Sequence, residues 1–176
     1  MTHPLAQGAA RILAASSVVV LAIIGSAAVA PAGAATPPMC TVADMSVAVR
    51  VVPGSAGMMH ETYRVSVANT SRHACSLRGY AGVSLVTGRT GSVIGAPATW
   101  EPATVRTLSL APGRTASADV RYTRTDPYDP ATCRPRAAAG WRVYLPGATQ
   151  AVFVPGAPDA CTNANVHLLA ERPFVS

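Results

Sequence analysis

The histidines are the first residues to weigh for chemistry. His60, His73 and His167 lie in the body of the chain, and His3 lies near its start. A zinc site needs two ligands on one face, which His-x-x-His or His-Glu-x-x-His spacing supplies, and neither spacing occurs here. His60 and Glu61 are neighbours, and on an extended strand neighbours point to opposite faces. His167 sits between Val166 and Leu168 and by the same alternation faces solvent. Nucleophilic catalysis needs a Ser or Cys beside a base, yet there is no Gly-x-Ser-x-Gly elbow, and Gly54-Ser55 and Gly91-Ser92 fall in turn-like stretches. Acids number only eight. Asp126 and Asp129 share the loop DPYDP, where Asp before Pro is turn chemistry. Paired glycosidase carboxylates would sit on separate rigid elements. The residues therefore point away from an enzyme.

Two further groupings could bind. Met58-Met59-His60, with Met39 and Met45 upstream, offers soft thioethers and an imidazole, a donor set suited to Cu(I). The competing reading is a loop whose Met side chains pack over the end of the fold. Met45 points into the core by alternation, which removes one ligand. The second grouping is basic: Arg121, Arg124, Arg134 and Arg136, with Tyr122 and Tyr128 beside them. It reads as a loop surface for an anionic partner. Thr132-Cys133-Arg134-Pro135-Arg136 also suggests a disulfide-braced loop of a secreted protease inhibitor, although Pro135 between two Arg hinders a trypsin-like register.

Strands must position these groups. Residues 44–52 alternate, with Met45, Val47, Val49 and Val51 on one face, and residues 60–69 alternate through Tyr63, Val65 and Val67. A Gly/Pro loop from Pro53 to Met59 joins them. Gly82 to Thr87, a short return at Ser92 to Gly95, Ala103 to Leu110, Thr115 to Tyr122, Trp141 to Leu145, Ala151 to Val154 and Val166 to Leu169 complete the set. Along Thr115 to Tyr122, residues Ala116, Ala118, Val120 and Tyr122 face inward. Ala111-Pro112-Gly113-Arg114 and Pro146-Gly147 read as tight turns. Residues 124–139 form the one long irregular connection, with room for a short helix. Eight or nine short strands at near-regular spacing predict an all-β sandwich or barrel.

The mature region holds four cysteines, Cys40, Cys75, Cys133 and Cys161. An even count outside the cytoplasm reads as two disulfides. Cys40 and Cys75 are nearly equidistant from the loop at Pro53–Met59, and Cys133 and Cys161 are centred on Gly147. If each loop joins an antiparallel hairpin, the bridges are Cys40–Cys75 and Cys133–Cys161.

Apolar residues make up 49% of the chain and charged residues 12%, enough for one core. Aromatics are only 5%, so that core is expected to be Val, Leu and Ala rather than stacked rings. The net charge is +6, and all 14 basic residues are Arg, as in a chain from a very GC-rich genome. They are scattered singly with no aromatic interleaving, which argues against nucleic acid; plain solubility is the simplest reading of the charge, and an anionic envelope component or another extracellular protein is the partner expected. Residues 1–11 carry one charge, Arg11, and an uncharged run follows from Ile12 to Ala30. Ala32-Gly33-Ala34 suits signal peptidase, so residues 1–34 read as a signal peptide of the general secretory route, with no twin Arg. Retention as an uncleaved anchor is the alternative, because the run is long enough to span a bilayer. Cys40 follows Pro37-Pro38-Met39, which lacks the small residues of a lipidation site.

The same residues resemble a known family, the secreted actinobacterial family called domain of unknown function 4232. Its landmarks here are the first Cys, a small-residue loop ending near Gly57, and VSVANTSRHACSLRGYAGVSL. LSLAPGRTASADVRY, Thr132-Cys133-Arg134-Pro135, VYLPG and Cys161 follow. The match runs from Cys40 to about Ala170, and Ala81 stands where a Pro usually follows Gly-Tyr. The resemblance implies an immunoglobulin-like antiparallel β-sandwich over residues 35–176 and carries no known activity or cofactor. Together the residues and the resemblance predict a secreted or envelope-associated, non-catalytic binding module. A protease inhibitor and a copper carrier are the alternatives.

Overall fold

Period-two burial lays out the longest strands. In the computed structural model, which describes residues 36–176, a single 3-10 turn at Val42–Asp44 leads into β1 (Met45–Val51). The expected export segment, with Arg11, the cleavage point after Ala34 and His3, lies outside the described residues. β2 (His60–Asn69) follows the Gly/Pro loop, and then β3 (Cys75–Arg78) and β4 (Gly82–Val86). Next come β5 (Thr99–Trp100), β6 (Thr107–Leu110) and β7 (Thr115–Thr123). One turn of helix, α1 (Pro130–Cys133), precedes β8 (Pro135–Arg136). The chain ends through β9 (Gly140–Tyr144), β10 (Ala151–Pro155), β11 (Ala160–Cys161) and β12 (Leu169–Glu171).

The architecture is the all-β sandwich expected. One sheet has the order β1-β2-β7-β12-β5, antiparallel except for the β12–β5 pair. A second has the order β10-β9-β4, and two short pairs, β11-β8 and β3-β6, complete the fold. On β2, Val65 and Val67 are fully buried while the neighbouring Arg64 is exposed. On β7, Ala116, Ala118, Val120 and Tyr122 turn inward, as the alternation predicts. They share one core cluster with Val83 and Leu85 of β4, Trp141 and Val143 of β9, Leu77 of β3 and Leu110 of β6. Burial of such side chains contributes roughly 1.5–3 kcal/mol each. Aliphatics dominate, as expected, but three rings do meet between the sheets. Tyr63 lies 4.9 Å from Trp141 and 6.1 Å from Tyr122, centroid to centroid. The Trp141 indole N–H donates to the Gly156 carbonyl at 2.9 Å, so its polar edge is satisfied in the core.

Several sequence boundaries shift. The described residues form twelve strands rather than eight or nine, because β3, β5, β8 and β11 are too short to show alternation. Ala103 to Leu110 narrows to Thr107–Leu110, and Ser92 to Gly95 contributes only an isolated bridge, Val86 to Val93. Val166 to Leu169 moves to Leu169–Glu171, which places an acidic residue on the last strand. The short helix allowed for in residues 124–139 is α1. Asp129 caps it by accepting from the amides of Ala131 and Thr132, and Pro130 occupies its first turn, so the DPYDP acids include a helix cap. The turn at Ala111–Arg114 is closed by Arg114 N–H donating to the Ala111 carbonyl, with Gly113 at φ +76°. That backbone conformation favours glycine.

Both disulfides are present as predicted, Cys40–Cys75 and Cys133–Cys161. The hairpins that centre them form, with Met45 opposite Asn69 in one and Ala151 opposite Tyr144 in the other. Cys75, however, sits on β3, outside the β1–β2 ladder. Met39 pairs in parallel with Ser76, and Cys40 N–H donates to the Ser76 carbonyl at 2.9 Å. The first bridge therefore ties the chain ahead of β1 to the β3–β6 pair. In the chain-entropy view, loops of this size contribute roughly 3–4 kcal/mol per bridge.

Candidate functional site

Alternation on β7 separates the basic residues that are adjacent in sequence. Arg121 faces outward and Tyr122 inward. Tyr122 is a core residue, 3% exposed, whose hydroxyl donates to the Asp159 carbonyl at 2.8 Å, and burial pushes its pKa up to about 12. It belongs to the frame, not to a binding surface. Arg121 pairs with Glu101 at 2.9 Å, and Arg172 holds the other carboxylate oxygen at 3.1 Å. Those bonds, that from Arg172 first, hold the Glu101 pKa below its ordinary value. Arg124 lies half-buried in a different hollow, lined also by Glu61, Asp126 and Asp159, where acids outnumber it. Tyr128 is half-buried against the core, and its amide donates to the Thr125 carbonyl.

Arg134 and Arg136 remain exposed, and neither has a carboxylate within ion-pair distance among the described residues. Their backbone is firmly held. Arg134 accepts from the amide and the hydroxyl of Thr162, and Asn163 donates its side-chain amide to the Thr132 carbonyl at 3.0 Å. β8 pairs with β11, and Cys133–Cys161 closes the unit. Arg134 adopts the left-handed conformation, φ 50°, at the end of α1. The segment is thus one turn of helix, a left-handed residue at Arg134 and then the short strand β8.

Met58, Met59 and His60 are all exposed, Met58 at 95%. Met45 is buried, as the alternation predicts, and so is unavailable as a ligand. Among the described residues no group of three His, Cys, Asp or Glu side chains is placed to hold a metal. His73 lies 3.6 Å from Asp44, and His167 is exposed as expected. The Asp44 pKa is lowered, chiefly by the hydrogen bonds it accepts from the Thr41 hydroxyl and amide. That pairing caps the 3-10 turn.

Two features escaped the sequence reading. Glu171 on β12 is 0% exposed, and among the described residues neither carboxylate oxygen has a hydrogen-bond partner. Burial, the larger cause, raises its pKa to about 8, while the Trp100 side chain acts in the other direction. Beside it, Trp100 is 66% exposed and stacks on Tyr80, 5.2 Å between centroids and 16° between planes. On the outer face of the five-stranded sheet, Thr62, Glu101, Asp119, Arg121, Ala170 and Arg172 wall a polar hollow of about 380 Å³. A lone acid after Leu-Leu-Ala and a Trp between Thr and Glu give no periodic signal, so neither feature could be read without the strand pairing.

Among the described residues no helix is long and apolar enough to cross a membrane. Compared with known families, residues 40–174 match the one described as Domain of unknown function (DUF4232). No curated protein matches the chain.

Proposed function

The chain belongs to the family described as Domain of unknown function (DUF4232), and we propose that it is an exported, non-catalytic binding module holding an anionic envelope component through Arg134 and Arg136. The observation that carries this reading is that both guanidinium groups are exposed on a disulfide-braced segment and, among the described residues, have no ion-pair partner. A rigid frame lowers the entropy lost on binding, and free arginines suit carboxylates and phosphates. Residues 1–34 as a cleaved signal peptide of the general secretory route complete the proposal. Two disulfides support an extracellular location. The turn at Arg134 favours this reading over the protease inhibitor. The burial of Met45 favours it over the copper carrier.

Retention of the disulfide-intact domain on anionic envelope extract tests it. Arg134→Ser/Arg136→Ser is expected to weaken retention, with little change in stability because exposed charges contribute little to folding. Arg72→Ser/Arg78→Ser removes the same charge elsewhere and is expected to matter less. Retention should fall with salt as the Debye length shrinks from about 10 Å at 0.1 M to about 3 Å at 1 M. Equal retention by both double variants would reject the surface.

A further inference from the structure

The β1–β2 ladder sets Arg50 directly opposite Arg64, and the β2–β7 ladder sets Arg64 opposite Asp119. The row continues past β12, where the Arg172 amide donates to the Asp119 carbonyl at 3.0 Å. Alternation turns Val49, Val65 and Val120 inward, so the charged neighbours face outward. Arg172 shares that side, because it walls the polar hollow together with Asp119 and Arg121. Adjacent strands lie about 4.8 Å apart, so the row Arg50–Arg64–Asp119–Arg172 is about 14 Å long. Like charges directly opposite one another weaken a ladder, yet Arg50 faces Arg64. Arg64 has Asp119 at 2.7 Å, and among the described residues Arg50 has no carboxylate within ion-pair distance. Arg121 and Arg172 share the one carboxylate of Glu101. The face therefore sets four exposed arginines against two acids. The row beside it is small throughout, with Ala48 opposite Ser66 and Ser66 opposite Ser117.

We propose that the outer face of the five-stranded sheet is a docking surface for a linear polysaccharide bearing carboxylates, which lies across the strands along this arginine row. The face already shows how it holds a carboxylate. Arg64 grips Asp119 through two N–H groups, at 2.7 and 3.1 Å, and Glu101 offers one oxygen to each of two arginines. A guanidinium has five N–H donors in a planar fork, so Arg50 can grip a ligand carboxylate in the same two-point way, and Arg121 and Arg172 keep donors to spare. The floor of Ala48, Ser66 and Ser117 leaves room for a chain to lie close to the sheet. The two acids and the hydroxyls of Thr62, Ser66 and Ser117 also need a ligand that donates hydrogen bonds. Sugar hydroxyls donate and accept, whereas a polyphosphate only accepts and would meet Asp119 and Glu101 as like charges. Arg134 and Arg136 lie on a different element, so either assignment stands without the other.

Hexagalacturonate is the probe, titrated calorimetrically into the disulfide-intact domain carrying Arg134→Ser/Arg136→Ser, so that the other arginines play no part. Saturation is expected by about 10 mM probe, the range of a shallow site. Adding Arg50→Ser/Arg64→Ser should weaken binding about ten-fold or more, the loss expected with a charge-assisted contact. Adding Arg72→Ser/Arg114→Ser instead removes equal charge elsewhere and should weaken it less. Methyl-esterified hexagalacturonate, which keeps the sugars and loses the charge, should bind more weakly than the acid. Binding should fall as salt rises, since about 1 M salt screens beyond about 3 Å. Arg50→Thr relieves the facing like charges, so it should bind more weakly while unfolding at no lower urea concentration. Equal weakening by the two added pairs, or equal binding of acid and ester, would overturn the proposal. So would a lowered urea midpoint in Arg50→Thr, which would make Arg50 part of the frame. Tighter binding of inorganic polyphosphate of equal charge would overturn the assignment to a polysaccharide.

Discussion

Replacing Glu171 by Gln should make the protein more stable at neutral pH and leave it nearly unchanged in mild acid. Glu171 lies on β12 with Val120 opposite it on β7 and Trp100 opposite on β5. It is fully buried, and both oxygens lack a hydrogen-bond partner among the described residues. The folded state therefore holds it protonated, with a pKa near 8 against an ordinary value of 4.5. Below the lower value, folded and unfolded chains both carry the proton and no pH term arises. Between the two, only the unfolded chain releases it. The folded state then binds more protons, and stability falls as pH rises, by about 1.4 kcal/mol per unit. At pH 7.5 the accumulated loss is about 4 kcal/mol.

Gln keeps the shape and cannot ionise. In either form an unpaired buried polar group remains, at about 1–3 kcal/mol, so parent and variant should nearly coincide near pH 4.5. The assay is urea unfolding at pH steps from 4.5 to 8.5 with disulfides intact, read as the difference between the two proteins. Taking the difference cancels Asp44 and Glu101, whose lowered pKa values contribute stability that is lost only in acid. The variant's advantage should grow with pH to about 4 kcal/mol at pH 7.5 and then level off. A gap that stays constant over that window would mean the carboxylate is solvated or paired in the folded protein, and the burial argument would be refuted.

The other predictions concern the bridges and the chain start. Cys40→Ala/Cys75→Ala should lower stability by roughly 3–4 kcal/mol, as judged by urea midpoints, because it frees the chain ahead of β1 from β3. Peptide mapping without reductant should recover Cys40 joined to Cys75 and Cys133 joined to Cys161, and a Cys40–Cys161 fragment would contradict the fold. N-terminal sequencing of secreted protein should begin at Ala35 or within a residue or two, whereas recovery of the full chain from membranes would favour the anchor.

Which parts of this fold the sequence announced depends on strand length. β1, β2 and β7 are long enough for alternation to settle both their existence and their inward faces. The hairpin loops then centred the cysteine pairs. β5, β8 and β11, at two residues each, carry no period and exist only because a neighbouring strand is there to pair with. Glu171 was illegible for a different reason. A carboxylate reads as surface, and only the β12 register places it in the core. The arginine cluster divides on a rule already in hand. The period that turns Tyr122 inward turns Arg121 outward, so residues adjacent along β7 cannot share a surface.

The polar residues that mark the family resemblance are committed to the frame. Asn69 donates its side-chain amide to the carbonyls of His73 and Leu110 and accepts from Ser71, pinning the corner after β2 to β6. Ser76 donates to the Pro38 carbonyl, beside the first disulfide. Tyr80, in the Gly-Tyr pair, donates to Glu101. Each satisfies a backbone group near the ends of strands, where unpaired carbonyls would otherwise be costly. Such landmarks specify a sandwich and say nothing of a ligand, which is why family membership leaves the partner open. Ligand choice must then come from groups the frame does not consume. Arg134 and Arg136, held by the second disulfide, and Arg50, set opposite Arg64 by the β1–β2 ladder, are such groups. Mutating them should alter binding while the strands keep their register, and mutating Asn69 or Ser76 should do the reverse.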